Sequence, residues 1–183
     1  MKYMKYVIGA VALILAISSV TLAPQSHTET AFLLDTYISV TAYGKGAKTA
    51  TKQAMARVAE LDKKLCAYKQ NSEVYKINHA GAKRATKVSS DCFYVMKQAL
   101  ILCEKTGGAF DITIKPVADL WGFGSENPHV PTQAELDKAL SCVSYKDVLL
   151  DEQAQTVTLQ KDGLAIDLGG IAKGYCADEA AKV

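Results

Sequence analysis

The apolar positions of this chain change period several times, and each change marks an element. Residues 7–20, VIGAVALILAISSV, are almost continuously apolar behind Lys2 and Lys5, and no acidic or basic side chain lies between Lys5 and Glu29. That is the layout of a secretory signal, with a cleavage site after Ala23 in which Thr21 takes the minus-three position. Residues 6–23 are also just long enough to cross a bilayer uncleaved. Residues 1–23 are therefore predicted to be a signal peptide or a membrane anchor. Residues 24–31 are polar and read as a linker. Over residues 32–43, Ile38, Val40 and Ala42 alternate with Ser39 and Thr41, which predicts a strand ending at Gly44.

Helical spacing follows. Ala54, Val58, Leu61 and Leu65 predict an amphipathic helix over 48–65, and residues 66–81, with Asn71-Ser72 and Asn78, read as loop and short turns. A second helix is expected from an N-cap at Ser89 or Ser90 to a stop at Gly107-Gly108. Residues 109–116, AFDITIKP, look like a short strand, and Pro128 and Pro131 bracket a loop after LWGFG. Thr132 and Glu135 form a capping box opening a helix through Leu140. Strands are expected at 148–150, 156–159 and 164–168, with Lys161-Asp162-Gly163 turning between the last two. Residues 169–183 begin a further helix, whose apolar Ile171, Tyr175 and Ala180 lack a following element to cover. Helices intermixed with strands predict an α+β fold, a mixed sheet with packed helices, and the uncovered last helix predicts a chain truncated inside its domain. An isolated chain of that kind is expected to be inactive and only partly stable.

Composition narrows the function classes. With 49% apolar and 22% charged residues the chain can bury a sizeable core, which excludes disorder as its main state. The formal charge of +2 comes from 21 basic and 19 acidic residues, and Lys2 and Lys5 account for the surplus. A folded part without a basic excess argues against a nucleic-acid partner. The five cysteines, at 66, 92, 103, 142 and 176, form no C-x-x-C pair, so zinc ribbons and thioredoxin-type chemistry have no support. They read as ordinary buried thiols. His27, His79 and His129 are far apart and lack metal-ligand spacing.

Candidate chemistry concentrates in two glycine-marked turns. In LAIDLGGIAKG an apolar strand delivers Asp167, Gly169-Gly170 permits close backbone approach, and a helix begins with Lys173 in its first turn. A helix start of that kind suits a phosphate or pyrophosphate; the alternative is a plain turn with a surface lysine. In TGGAFDIT, Asp111 sits in an apolar pattern and needs a partner, either a ligand hydroxyl or amide or a neighbouring backbone N–H or lysine. Tyr68 is either a stacking ring with a polar tip or a core tyrosine. Trp121 and Phe123 either flank a planar ligand or plug the edge of the core.

Taken together, LLDTYISV, ELDKKLCAYKQNSEVYKIN, GGAFDITIKPVADLWGFG and IDLGGIAKGYCAD stand in the order and approximate spacing of the ApbE-type FAD:protein FMN transferases, which residues 32–183 resemble as the N-terminal portion of a flavin transferase domain. The resemblance implies a magnesium-dependent enzyme at the outer face of the bacterial cytoplasmic membrane or in the periplasm. It takes FAD as substrate, joins FMN to a Thr or Ser hydroxyl of an acceptor protein and releases AMP. It places Leu34, where the family usually has methionine, near the flavin, with Asp35 beside it. It makes Tyr68, Ala109, Phe110, Asp111, Asp167 and Lys173 FAD-binding residues and the Gly170 carbonyl a metal ligand. The family's further metal ligands, an aspartate and a threonine, come from a later segment. The alternatives to a transferase are a flavin-binding protein without transfer activity and a non-functional truncated product.

Overall fold

The computed structural model describes residues 25–123, 125 and 128–183. The predicted signal or anchor lies outside the described residues. Among those described, no helix is long and apolar enough to cross a membrane.

Strands β1 (Ser26–Leu33) and β2 (Thr36–Tyr43) form an antiparallel hairpin in which Leu33 faces Thr36 across a two-residue turn. The turn residues, Leu34 and Asp35, both adopt left-handed backbone, with φ of 52° and 55°. That conformation matches the twist of paired strands. The expected linker at 24–31 is thus largely β1, and the single strand expected over 32–43 is split by the turn. The segment SHTETAFL lacks the apolar alternation of a strand because inward-facing His27 and Glu29 are as polar as outward-facing Ser26, Thr28 and Thr30. Thr28 hydrogen-bonds Thr41 and Thr30 hydrogen-bonds Ser39 across the pair, each at 2.8 Å, so hydroxyl ladders replace apolar contacts on that face.

Helix α1 (Ala47–Leu65) lies against the hairpin, burying Ala54, Val58, Leu61 and Leu65 as the helical spacing predicts. The segment read as loop contains α2 (Glu73–His79), whose N-cap Ser72 accepts the Tyr75 N–H. Helix α3 (Ser90–Lys105) starts at the Ser89 cap and ends before Gly107 and Gly108, both at positive φ. The expected strand at 109–116 is a turn followed by α4 (Lys115–Trp121). Asp111 bends the chain by accepting the Thr113 N–H at 2.8 Å, a local bond that competes with a strand ladder. Helix α5 (Gln133–Leu140) opens with the predicted Thr132–Glu135 capping box.

Strands β3 (Thr86–Lys87), β4 (Val148–Asp151) and β5 (Thr156–Leu159) form a second antiparallel sheet in the order β3-β5-β4. The turn of this hairpin lies between β4 and β5 rather than at 161–163. Residues 164–168 form no strand and make one parallel bridge, Ala165 with Ile114. Their backbone is satisfied by the Asn78 side chain, which accepts the Ile166 N–H at 2.7 Å and donates to the Ile166 carbonyl at 2.9 Å. The class is α+β, with two small open sheets and helices around one core that includes Leu61, Met96, Ile112, Val157, Ile166 and Leu168.

The last helix, α6 (Gly169–Ala181), does have partners, contrary to the expectation from its sequence. It packs on α1 and α3, buries Ala172 and Cys176, and its Tyr175 hydroxyl donates to Asp91 at 2.7 Å. Asp91 also receives Arg57 at 2.6 Å and Lys64 at 2.7 Å, while Arg57 reaches Glu179 of α6. The Arg57 guanidinium is the main cause holding the Asp91 carboxyl below the ordinary aspartate range. One ion-pair network therefore ties three helices together. An apolar groove of about 760 Å³ remains between β2, α1 and the α6 residues from Lys173 onward.

The cysteines are free thiols, four of them buried. Burial raises the Cys176 thiol to about 11, consistent with inert core residues.

Candidate functional site

The site is built around the start of α6. The segment before it is held by Asn78 and by the Asp167 N–H, which donates to the Ile112 carbonyl at 2.8 Å. The chain then turns: Asp167 Oδ1 accepts the Gly169 N–H at 2.7 Å. The N-cap residue, Leu168, has no side-chain acceptor to offer α6. The Leu168 carbonyl accepts the Ile171 N–H at 2.9 Å and the Ala172 N–H at 2.8 Å, which leaves the Gly170 N–H as the first-turn donor without an acceptor among the described residues, at the positive end of the helix dipole. Lys173, one turn on, is exposed and forms no ion pair with a described residue.

Both glycines lie in close approach to a neighbouring side chain. A Cβ on Gly170 would lie 2.8 Å from Cε2 of Phe110, and one on Gly169 would lie 3.0 Å from Asp167 Oδ1. The Phe110 ring thus rests on the backbone of the helix start. Its own backbone is placed by Thr106, whose hydroxyl accepts the Phe110 N–H at 3.1 Å. A cleft of about 570 Å³ opens here, lined by Ala109, Phe110, Asp111, Asp167, Gly169 and Gly170, with Ile114, Leu140 and Val143 as its apolar wall. Asp111 finds its partners in the protein: Oδ1 accepts from Thr113 and Oδ2 accepts the Tyr145 N–H at 3.0 Å. The carboxylate shapes this wall, and the alternative of a backbone partner is the one observed.

On the other side of Asp167 stands Tyr68. Its hydroxyl lies 3.2 Å from Asp119 Oδ1 and 3.5 Å from Asp167 Oδ2. Partial burial, followed by the charges of Asp167 and Asp119, pushes the phenol well above its ordinary range, so it remains a hydrogen donor. The ring is about half exposed, which favours the stacking alternative over a core tyrosine. The ammonium of Lys115 sits 4.0 Å from the ring centroid.

A third wall is the β1–β2 turn. Leu34, Asp35, Cys66 and Ala67 face Asp167, Gly169 and Lys173 across a small gap. A left-handed leucine is costly, by about 1–2 kcal/mol. It is held by Asp62, which is 1% exposed and accepts the Leu34 N–H at 3.2 Å while pairing with Lys69.

All the sequence-predicted residues therefore border one feature, the Asp167 turn: Leu34, Tyr68 and Lys173 on one side, Ala109, Phe110, Asp111 and Gly170 on the other. Sequence reasoning missed Asp62, Asn78, Lys115 and Asp119. The only signal for them was polarity inside apolar patterns. The rings of Trp121 and Phe123 stack on each other at 5.9 Å and line none of these clefts. His27 bonds Thr51 and His79 stacks on Tyr75. Among the described residues no cluster of three or more His, Cys, Asp or Glu could hold a metal ion.

The glycine-containing helix start, the Lys173 ammonium, which pairs with no described residue, and the Phe110 and Tyr68 rings make up the class of site that could take a phosphorylated planar molecule. Comparison with known proteins sharpens that class. The model of the ApbE family matches residues 34–183, and the chain belongs to that family. It is 31% identical over 170 residues to the FAD:protein FMN transferase of Salmonella typhimurium, covering 89% of this chain and 49% of the relative. The FAD:protein FMN transferase of Haemophilus influenzae is 30% identical over 192 residues, covering 97% of this chain and 55% of its own. The crystal structure of the ApbE protein from Thermotoga maritima superposes with a TM-score of 0.80 at 31% identity, over 86% of this chain and 52% of that one. The chain thus spans about half the length of the relatives it matches.

Proposed function

We propose that this chain carries the flavin-binding side of a FAD:protein FMN transferase. The observation behind the reading is the start of α6, where Asp167 is pinned by the Gly169 N–H, the Phe110 ring rests against Gly170 and Lys173 forms no ion pair with a described residue. The Gly170 N–H, the positive end of the helix dipole and an ammonium at that point suit the FAD pyrophosphate. In the transfer, the hydroxyl oxygen of a Thr or Ser on the acceptor protein bonds to the FMN phosphorus. The phosphoanhydride bond to the AMP phosphate breaks, AMP departs and the hydroxyl proton goes to solvent. Donors fixed around the pyrophosphate stabilise charge on the leaving phosphate. Flavin is substrate and carries no redox step.

Magnesium enters this proposal through Gly170 alone. The ion needs several oxygens, and the described residues do not supply a cluster that fits it, so no step is assigned to it. Export to the outer face of the cytoplasmic membrane is part of the same proposal, supported by the apolar run behind Lys2 and Lys5. Cell fractionation checks it: soluble cytoplasmic protein with residues 1–23 intact would contradict it.

The test of function is incubation of the chain with FAD, magnesium and an acceptor carrying a suitable threonine. A covalent flavin adduct formed in step with released AMP supports the transferase. Bound FAD without AMP points instead to a flavin-binding protein, and no binding overturns both.

A further inference from the structure

We infer that Lys115 and Asp119 form a clamp that fixes Tyr68 beside Asp167, making them positioning residues of the site; the inference rests on the flavin reading above. Lys115 is an unusual lysine. Its side chain is only 10% exposed, and its Nζ lies 2.8 Å from both carboxylate oxygens of Asp119, one helical turn on. The same ammonium covers the Tyr68 ring at 4.0 Å, and Asp119 Oδ1 is also the acceptor nearest the Tyr68 hydroxyl. Three groups thus contact one another pairwise. The ammonium holds the plane of the ring, and the carboxylate holds its hydroxyl.

A helix-stabilising role does not account for this arrangement. A basic residue placed N-terminal to an acidic one at this spacing is the weaker orientation of such a pair. Lysines ordinarily keep the ammonium in water and bury only the stem. Pro116, in the first turn of α4, fixes the backbone from which Lys115 projects.

The clamp also settles where the phenol hydrogen goes. Tyr68 has one O–H and two carboxylates in reach, at 3.2 Å for Asp119 and 3.5 Å for Asp167. Donation to Asp119 leaves Asp167 Oδ2 with its lone pairs free, while Oδ1 is held by Gly169. Asp167 is then an acceptor ready for a ligand hydroxyl or ring N–H, and Tyr68 presents a fixed face for stacking. Neither residue of the clamp touches the ligand in this scheme; both act through Tyr68.

The experiment is FAD titration of the full chain by flavin fluorescence, with variants K115M, D119N, Y68A and D167N and the doubles K115M/Y68A and D119N/Y68A. K115M and D119N should each weaken FAD binding about 2- to 30-fold, the range a ring–cation contact commands. Each should also reduce the quenching of bound flavin. In the Y68A background both effects should vanish, a coupling that a general loss of stability cannot produce. D119N, whose side chain is half exposed, guards against K115M failing to fold. Effects that persist unchanged in Y68A overturn the clamp. So does normal binding by both single variants while Y68A or D167N weakens it, and in that case the flavin site stands. Normal binding by Y68A and D167N alike overturns the flavin site and the clamp with it.

Discussion

Replacing Gly170 with alanine separates the fold from the site. The new Cβ would stand 2.8 Å from Phe110 Cε2 and 3.5 Å from Cζ, where carbon atoms prefer about 3.5–4.0 Å. The ring must therefore retreat by nearly 1 Å. Held in place, it would impose an overpacking cost of about 1–3 kcal/mol. Phe110 is only partly buried, at the edge of an open cleft, so it can swing away. Alanine also regains up to about 1 kcal/mol of helix propensity over glycine. The two effects offset, and G170A should lie within about 1 kcal/mol of the parent in urea unfolding followed by far-UV circular dichroism. Binding has no such compensation. Losing a stacked ring costs about 1–3 kcal/mol, and the methyl group also obstructs approach to the helix start, so FAD affinity should fall roughly ten- to a hundredfold. Adding F110A should restore room without restoring affinity. Unchanged FAD affinity in G170A, together with a loss of more than about 2 kcal/mol in stability, would refute the assignment of this contact to the site.

Three further outcomes are expected. K173A should keep the thermal midpoint and lose FAD affinity several-fold in calorimetry, because the exposed ammonium has no ion pair with a described residue to lose. N78A removes both hydrogen bonds to Ile166 and should cost about 1–3 kcal/mol in urea unfolding while also weakening FAD binding, since Asp167 is the next residue. D91N should destabilise the chain by about 2–3 kcal/mol at pH 7. Asp91 has its folded-state pKa depressed by Arg57, so its contribution is complete above the unfolded value near pH 4 and is lost as pH falls further. The gap between parent and D91N should therefore close below about pH 4, and a gap independent of pH would contradict the network.

What could be read from the chain follows the range of the interactions. Caps were legible because Ser89, Thr132 and Glu135 bond within three residues of themselves. Helix α1 was legible because its period repeats through five turns. Strand β1 was not, because its cross-strand bonds join hydroxyls and its turn is Leu34-Asp35 rather than a glycine or asparagine pair. Residues 164–168 carry a strand pattern, yet their backbone partner is an asparagine 88 residues away. The site divides in the same way. Asp167 and Lys173 announce themselves in a glycine-marked turn, whereas Asp119 meets Tyr68 across 51 residues and leaves no local signal. Asp111 stands out as a carboxylate in an apolar pattern, but its partners, Thr113 and Tyr145, come from backbone geometry.

The central claim is that the start of α6 receives the FAD pyrophosphate. A crystal structure of the chain soaked or grown with FAD tests it most directly. The account predicts a phosphate oxygen against the Gly170 N–H and within reach of Lys173 Nζ, with a ring of the ligand in the cleft beside Phe110 or against Tyr68. FAD lying instead in the apolar groove between β2, α1 and α6, with the Gly169–Gly170 helix start unoccupied, would contradict it.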